Sequence, residues 1–246
     1  MLGPGRVKAT ANGDGPVTRA LADFRKSAEA DGWLALPFFA EGVAEAVAAR
    51  VDARIAAGAH VLPAPENIFN GLRTTPLSAV KAVILSQDPY PTPGHAHGLA
   101  FSHVGSGRLP ASLKVILAEM AEDCGVPMPT TGDLTAWARQ GVLLINAALT
   151  VEAGAAGAHL KLGWSALADE AVAAVSAQRP AVAFLLWGAP ARRRAQLIDR
   201  AKHLIVECGH PSPLNRLNDF RGTRPFSRAN AWLEGKGIEP VNWALP

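Results

Sequence analysis

A carboxylate, a carboxamide and an imidazole are the side chains of this sequence best suited to chemistry. They are Asp88 in "SQDPYP", Asn146 in "VLLINAALTV" and His210 in "CGHPSPLN". A carboxylate can orient or deprotonate a water, or steady a developing positive charge. An imidazole can donate a hydrogen bond or a proton near neutral pH. A carboxamide presents a donor and an acceptor side by side, the pattern needed to read a planar polar edge. Taken singly, each has a plainer role as well. Asp88 suits a helix cap, Asn146 a satisfied turn residue, and His210 a core imidazole bonded to a carbonyl. Their shared placement, each after a short apolar run, is what raises them above those roles.

The apolar runs are the elements that must position them. Residues 80–85, 142–145, 181–187 and 203–206 are short, continuously apolar and not alternating, as strands of a parallel sheet covered on both faces are. Helical patterns separate them at about 113–122, 164–177 and 191–200. Another precedes them in "EGVAEAVAARVDARIAAGA", and a last one spans about 227–234. Pro190 suits a first helical turn. The alternation predicts a doubly wound α/β fold: a central four-stranded parallel sheet flanked by helices on both faces, in a single domain. Ligands of such sheets bind beyond the carboxyl ends of the strands. The first strand delivers Gln87, Asp88 and Tyr90 to that edge, the second Asn146, the third Gly188, and the fourth His210.

Composition narrows the partners less sharply. Of 246 residues, 49% are hydrophobic, enough for a sizeable core, and the formal charge is only +3. Arg192, Arg193 and Arg194 adjoin, and Arg216, Arg221, Arg224 and Arg228 recur near the C-terminus, a weak pointer to a polyanion. Two cysteines, Cys124 and Cys208, are too few for an iron–sulfur cluster or a cysteine zinc site and give no disulfide framework. A reducing cytoplasm is the expected compartment. No apolar run approaches membrane-spanning length, and the N-terminus lacks a signal-peptide core. Residues 1–20, rich in glycine and proline, are expected as a flexible tail ahead of a domain over 21–246.

Longer motifs add a resemblance. "SQDPYP" is similar to the water-activating loop GQDPYH of family 1 uracil-DNA glycosylases. "HGLAFS" resembles the segment that places an aromatic under the base, "VLLINAALTV" the uracil-reading strand, and "HPSPLN" the DNA-intercalating loop. "ENIFNGLRTTPL", "LGWSALADEAV", "FLLWGAPA" and "WLEGKGIEPVNW" follow the family's order and spacing, so the likeness runs from about residue 33 to 243. It implies a monofunctional DNA repair hydrolase that flips uracil out of single- or double-stranded DNA and leaves an abasic site. No metal or cofactor is implied, and a monomer is.

Through that resemblance the residues take roles. Asp88 and His210 are the catalytic pair: the carboxylate activates water and stabilises an oxocarbenium-like sugar, and a neutral imidazole donates to the base O2. Gln87, Tyr90, Phe101 and Asn146 bind the base. Asn146 matches N3–H and O4 of uracil and mismatches cytosine, Tyr90 excludes the 5-methyl of thymine, and Phe101 stacks. Ser112, Gly188 and Ser212 contact phosphates, Leu214 is the wedge that fills the vacated stack, and Arg216 is a candidate cation for the strand.

Several positions depart from the family pattern. Ser86 replaces a glycine, at about 1 kcal/mol if that position needs positive φ. Pro91 replaces a histidine, with His95 as a loop residue that can reach toward its place. Ala189 replaces a phosphate-contacting serine, "GSGRLPAS" has a single proline where relatives show several, and Asn215 replaces a serine. The reaction is expected to survive with an altered grip on DNA, compensated by Arg192, Arg193, Arg194 or Arg216. Sensitivity to a DNA-mimicking protein inhibitor of the family is expected to be reduced. A non-catalytic reader of uracil or damaged bases, and a glycosylase of widened base preference, are the alternatives; turnover and a panel of modified bases separate them.

Overall fold

The computed structural model describes residues 15–245 apart from Asp31 and Asn218. Ahead of the sheet come α1 (Pro16–Lys26), α2 (Pro37–Ala40), α3 (Val43–Ala56), the short strand β1 (Val61–Leu62) and α4 (Asn70–Thr74). There follow β2 (Ala82–Ser86), α5 (Ala111–Cys124), α6 (Thr135–Arg139), β3 (Val142–Asn146) and the short β4 (Val151–Glu152). The chain then runs α7 (Ser165–Gln178), β5 (Ala183–Trp187), α8 (Ala189–Arg192), β6 (Leu204–Cys208) and α9 (Pro225–Gly235).

Four strands form one parallel sheet in the order β3-β2-β5-β6, while β1 and β4 make a separate antiparallel pair. The sheet starts at β2, grows outward to β3, then crosses to β5 on the other side of β2. The winding therefore reverses at β2, and the crevice beyond the ends of β2 and its neighbours is where a ligand belongs.

Alternation along the strands explains why both faces are covered. Val83, Leu85, Leu143, Ile145, Phe184 and Leu186 belong to one buried cluster, packed with α1, α2, α3 and α7. Ala82, Ile84, Val142, Leu144, Ala183 and Leu185 belong to the other, packed with α5 and α9. Successive side chains point to opposite faces, so a continuously apolar strand is what two helical layers require. Each large side chain so buried contributes about 1.5–3 kcal/mol.

Two expectations need correction. Of the stretch 1–20 expected as a flexible tail, residues 1–14 lie outside those described, but Pro16 opens α1, and Val17 and Ala20 are buried. The cause is a cap from far along the chain. The Asp52 carboxylate on α3 accepts from the Val17 N–H at 2.8 Å and the Thr18 N–H at 3.0 Å, and from the Thr18 hydroxyl at 2.6 Å. Those are donors that a helix start leaves orphaned, and a negative charge suits that end of the dipole. The helix expected over 191–200 is also shorter. After Arg192 the chain tightens into a 3₁₀ turn, Arg193–Leu197, and becomes extended at Ile198. There the Ser176 hydroxyl accepts the Asp199 N–H at 2.9 Å and ends the helical run.

Candidate active site

A cavity of about 340 Å³ opens beyond the carboxyl ends of β2 and β3. Its wall brings together Gln87, Asp88, Tyr90, Phe101, Ser112, Asn146 and His210. These come from the loop after β2, the segment before α5, the first turn of α5, the last residue of β3 and the loop after β6.

Asp88 is held from two sides. Its Oδ2 accepts the Gly157 N–H at 2.5 Å, and its Oδ1 accepts from Gln87 Nε2 at 3.2 Å. Pro89 beside it is buried and restricts φ. The loop backbone is tied to the chain after β3: Ala147 N–H donates to Ser86 O and Ala148 N–H to Gln87 O, both at 2.9 Å. Gly154 N–H donates to Pro91 O at 2.8 Å. The result is an oriented carboxylate on a loop tied by backbone hydrogen bonds, the arrangement needed to steer a water or face a developing cation.

The aromatic wall is built around an unusual backbone. Phe101 has φ +62°, a left-handed conformation that costs a bulky residue energy and persists where neighbours over-determine it. Those neighbours are identifiable. The Tyr90 hydroxyl donates to Phe101 O at 2.8 Å. Ser102 Oγ lies 2.6 Å from His97 Nε2 and accepts the Leu134 N–H at 2.8 Å. Gly98, at φ +89°, passes so close to Asn67 O that a Cβ there would collide at 1.8 Å. Burial holds the Tyr90 phenol well above its ordinary pKa, so it stays a neutral donor to that carbonyl.

Asn146 is 4% exposed and pairs in register with Ser86 at the end of the sheet. Its Oδ1 is buried with no hydrogen-bond donor among the described residues. An unpaired buried acceptor costs about 1–3 kcal/mol, and a ligand with a complementary edge removes that cost. On the far edge, the His210 ring lies 6.3 Å from the Phe101 ring. His210 stays open to solvent on one side, and the partial cover it has lowers its imidazole pKa, which favours the neutral form. Gly188, at φ +83°, lets the turn after β5 approach His210: a Cβ there would stand 3.1 Å from the His210 Cβ.

Ser212, Leu214 and Arg216 lie outside the cavity, on the loop that follows His210. Leu214 is 88% exposed, and Arg216 is exposed too. The Ser212 hydroxyl accepts the Leu214 N–H at 3.2 Å and shapes the tip. The loop is closed at its base by Asn215, whose Nδ2 donates to His210 O at 3.1 Å and to Asp219 Oδ1 at 2.7 Å. Asp219 O also accepts the Gly209 N–H at 2.9 Å.

The departures from the family pattern resolve in physical terms. Among the described residues, Phe101 and Arg224 alone are non-glycine with positive φ, so Ser86 carries no left-handed strain. Pro91 lines the cavity, whereas His95 does not and packs edge-on against His103 at 4.5 Å instead. His95 therefore does not take the place of the missing imidazole. Gly157 went unnoticed in the sequence, where "GAAGAH" carries no chemical signal; its contribution is a backbone N–H. Leu217, 81% exposed, is a second apolar side chain in solvent on the loop that carries Leu214.

Comparison with known proteins gives a concordant answer. The model of the Uracil DNA glycosylase superfamily matches residues 73–234. A uracil-DNA glycosylase of Acinetobacter baylyi is 51% identical over 187 residues, which is 75% of this chain and 78% of that protein. One of Bacillus velezensis is 47% identical over 186 residues, 76% of this chain and 82% of that one. Among solved structures, a mimivirus UNG Y322L variant in complex with UGI superposes with a TM-score of 0.78 at 25% identity. It covers 92% of this chain and 88% of its own.

Proposed function

This chain belongs to the uracil DNA glycosylase superfamily, and we propose that it excises uracil from DNA by hydrolysis at Asp88 and His210. Water is the nucleophile. Its oxygen forms a bond to the sugar C1′ as the C1′–N1 bond breaks, and the Asp88 carboxylate orients it and accepts its proton. The same negative charge stabilises the oxocarbenium character that the sugar acquires. Electrons from the broken bond leave with the base as a uracil anion. The neutral imidazole of His210 donates to its O2, as an oxyanion-hole donor does, and no residue forms a covalent intermediate.

Asn146 reads the base. Its unpaired Oδ1 accepts uracil N3–H and its NH2 donates to O4, whereas cytosine presents the reverse pattern. The Tyr90 ring, anchored through its hydroxyl, occupies the space of a 5-methyl group, Phe101 stacks on the base, and Gln87 supports Asp88. Ser112, Gly188, Ser212 and Arg216 grip the phosphate backbone, and Leu214 enters the stack that the flipped base leaves. Both single- and double-stranded DNA are substrates, the enzyme acts as a cytoplasmic monomer, and the altered edge at Pro91 and Ala189 lowers its sensitivity to a DNA-mimicking protein inhibitor.

The observation that carries this function is one cavity that joins an oriented carboxylate, an imidazole and a buried carboxamide oxygen with no partner among the described residues. The test is uracil release from single- and double-stranded oligonucleotides by the wild type and by Asp88→Asn. Turnover that drops about 10³-fold in the variant, with folding intact, is expected. Binding of uracil-DNA by the wild type with no release would overturn it.

A further inference from the structure

Next to Tyr90 lies a pair of histidines that the proposed reaction does not use. The His103 ring stands edge-on to the Tyr90 ring at 6.2 Å, and the His95 ring stands edge-on to His103 at 4.5 Å. His103 is 2% exposed, and its Nε2 is buried with no hydrogen-bond partner among the described residues. Its backbone is fixed: its N–H donates to Gly132 O at 2.9 Å, and the Val104 N–H donates to His95 O at 3.2 Å. Gly105 leaves room for the pair, since a Cβ there would stand 2.6 Å from His95 Cδ2 and 3.1 Å from His103 Nε2.

The segment 101–103 therefore grips Tyr90 twice. Phe101 O accepts the phenol at 2.8 Å, and His103 packs against the ring. The hydroxyl bond fixes one end of the side chain, and a packed neighbour locks its rotamer. An apolar side chain in place of His103 would do so without burying an unpaired nitrogen. What an imidazole adds is a charge that appears on acidification. Burial first, and then the neighbouring His95, lower the His103 pKa and favour its neutral form. The groups that face it are Tyr90, His95 and His97; the carboxylate nearby, Asp133, faces His97 instead, 3.8 Å from its Nε2. A proton taken up by His103 is a buried charge without a counter-charge, which drives the ring out of its packing. We infer that His103, backed by His95, is a positioning residue that holds the Tyr90 ring where it rejects a substituent at C5 of the base, and that protonating His103 relaxes this rejection. This rests on the role given to Tyr90 in the uracil excision proposed above.

The test compares release of 5-bromouracil and of uracil from single-stranded oligonucleotides. Bromine is close to a methyl group in size and makes the base a better leaving group, which keeps the slower release measurable. His103→Ala is expected to raise the ratio of kcat/KM for 5-bromouracil to that for uracil about 10-fold over the wild type, with uracil release itself within about 2-fold. His103→Phe restores the packing and returns the ratio to its wild-type value. In the wild type the ratio rises as pH falls through the His103 titration, followed by proton NMR of its ring, whereas in His103→Phe it stays flat. His95→Ala moves that rise to higher pH, because His95 lowers the pKa of its neighbour.

A ratio unchanged in His103→Ala overturns the brace. So does an equal loss of release of both bases, which would report general damage to the site. A wild-type ratio that does not change across the His103 titration overturns the link to protonation. Tyr90 is the only tyrosine of the sequence, so carbon-labelled tyrosine reads the brace by NMR without turnover. Its ring is expected to flip faster in His103→Ala than in the wild type, and equal rates overturn the assignment. If the wild type releases no uracil, the proposed reaction fails, and the ring-flip comparison still decides whether His103 holds Tyr90.

Discussion

The loops after β2 and β6 both reach the cavity, and they are held in opposite ways. The first is bound along its length: Ser86, Gln87, Asp88 and Pro91 each accept a hydrogen bond from the backbone after β3. The second is tied at its base by Asn215 and Asp219, while its tip carries Leu214 and Leu217 almost wholly in solvent. The difference matches what the proposed roles require. A carboxylate that faces a transition state loses its effect if it moves by an ångström. A side chain that enters a base stack must instead be free of contacts in the protein, because its packing partners are supplied by DNA. His210 sits at the junction: it lines the cavity with the first loop and belongs by sequence to the second.

If that division holds, the largest effect among substitutions beside Asp88 belongs to His210. His210→Ala is expected to lower kcat about 10²- to 10³-fold with KM little changed, on single and double strands alike, in steady-state uracil release. Partial burial against the cavity wall shifts its imidazole pKa down from the ordinary value and favours the neutral form, and a proton NMR titration checks that direction. A loss confined to duplex would place His210 with the gripping loop rather than with the chemistry.

Leu214→Ala comes next and tests the other region. Removing the proposed wedge is expected to lower kcat/KM on duplex about 10-fold, since the apolar contact it would forfeit in the stack is about 1.4 kcal/mol. On a single strand, with no stack to fill, the loss stays under about 3-fold. Equal losses on both substrates would remove the wedge role and leave Leu217 to be tested in its place.

How much of this was legible in the sequence differs between elements for physical reasons. The sheet was legible because β2, β3 and β5 are short, mostly apolar runs buried on both faces, a pattern that needs no tertiary knowledge, while β6 at the edge carries an exposed Glu207. The start of α1 was not, because its cap, Asp52, lies more than thirty positions along the chain. The site side chains could be nominated from strand-end position or from motif resemblance, and the structure gathers five from strand ends, with Phe101 and Ser112, around one cavity. Gly157 could not be, since a backbone N–H looks the same in every residue. Asn215 registered only as a departure from a serine, and its bridge between His210 and Asp219 is visible only in three dimensions.

Gly157→Ala sharpens the comparison on the rigid side. Gly157 has φ +80°, and a Cβ there would meet only Leu160 Cδ1, at 3.4 Å, so the cost is backbone strain of about 1 kcal/mol rather than a clash. If relief of that strain turns the N–H away from Asp88, kcat falls about 5-fold on both substrates. Unchanged kcat with a lowered melting temperature would mean that the carboxylate keeps its orientation without this donor.

The smallest effect is expected where the open loop is tied. A serine at position 215 has one hydroxyl on a shorter arm, so Asn215→Ser can keep at most one of the two bonds that the amide makes to His210 O and Asp219 Oδ1. Both bonds are exposed, and a net hydrogen bond there is worth about 0.5–1.5 kcal/mol. The strain falls on the loop tip and not on the cavity, because Gly209 N–H still donates to Asp219 O. Duplex kcat/KM is therefore expected to drop about 2- to 3-fold, with single-strand activity and melting temperature unchanged. An equal drop on single strands would show that the clasp also positions His210, and the two regions would then be one mechanical unit rather than two.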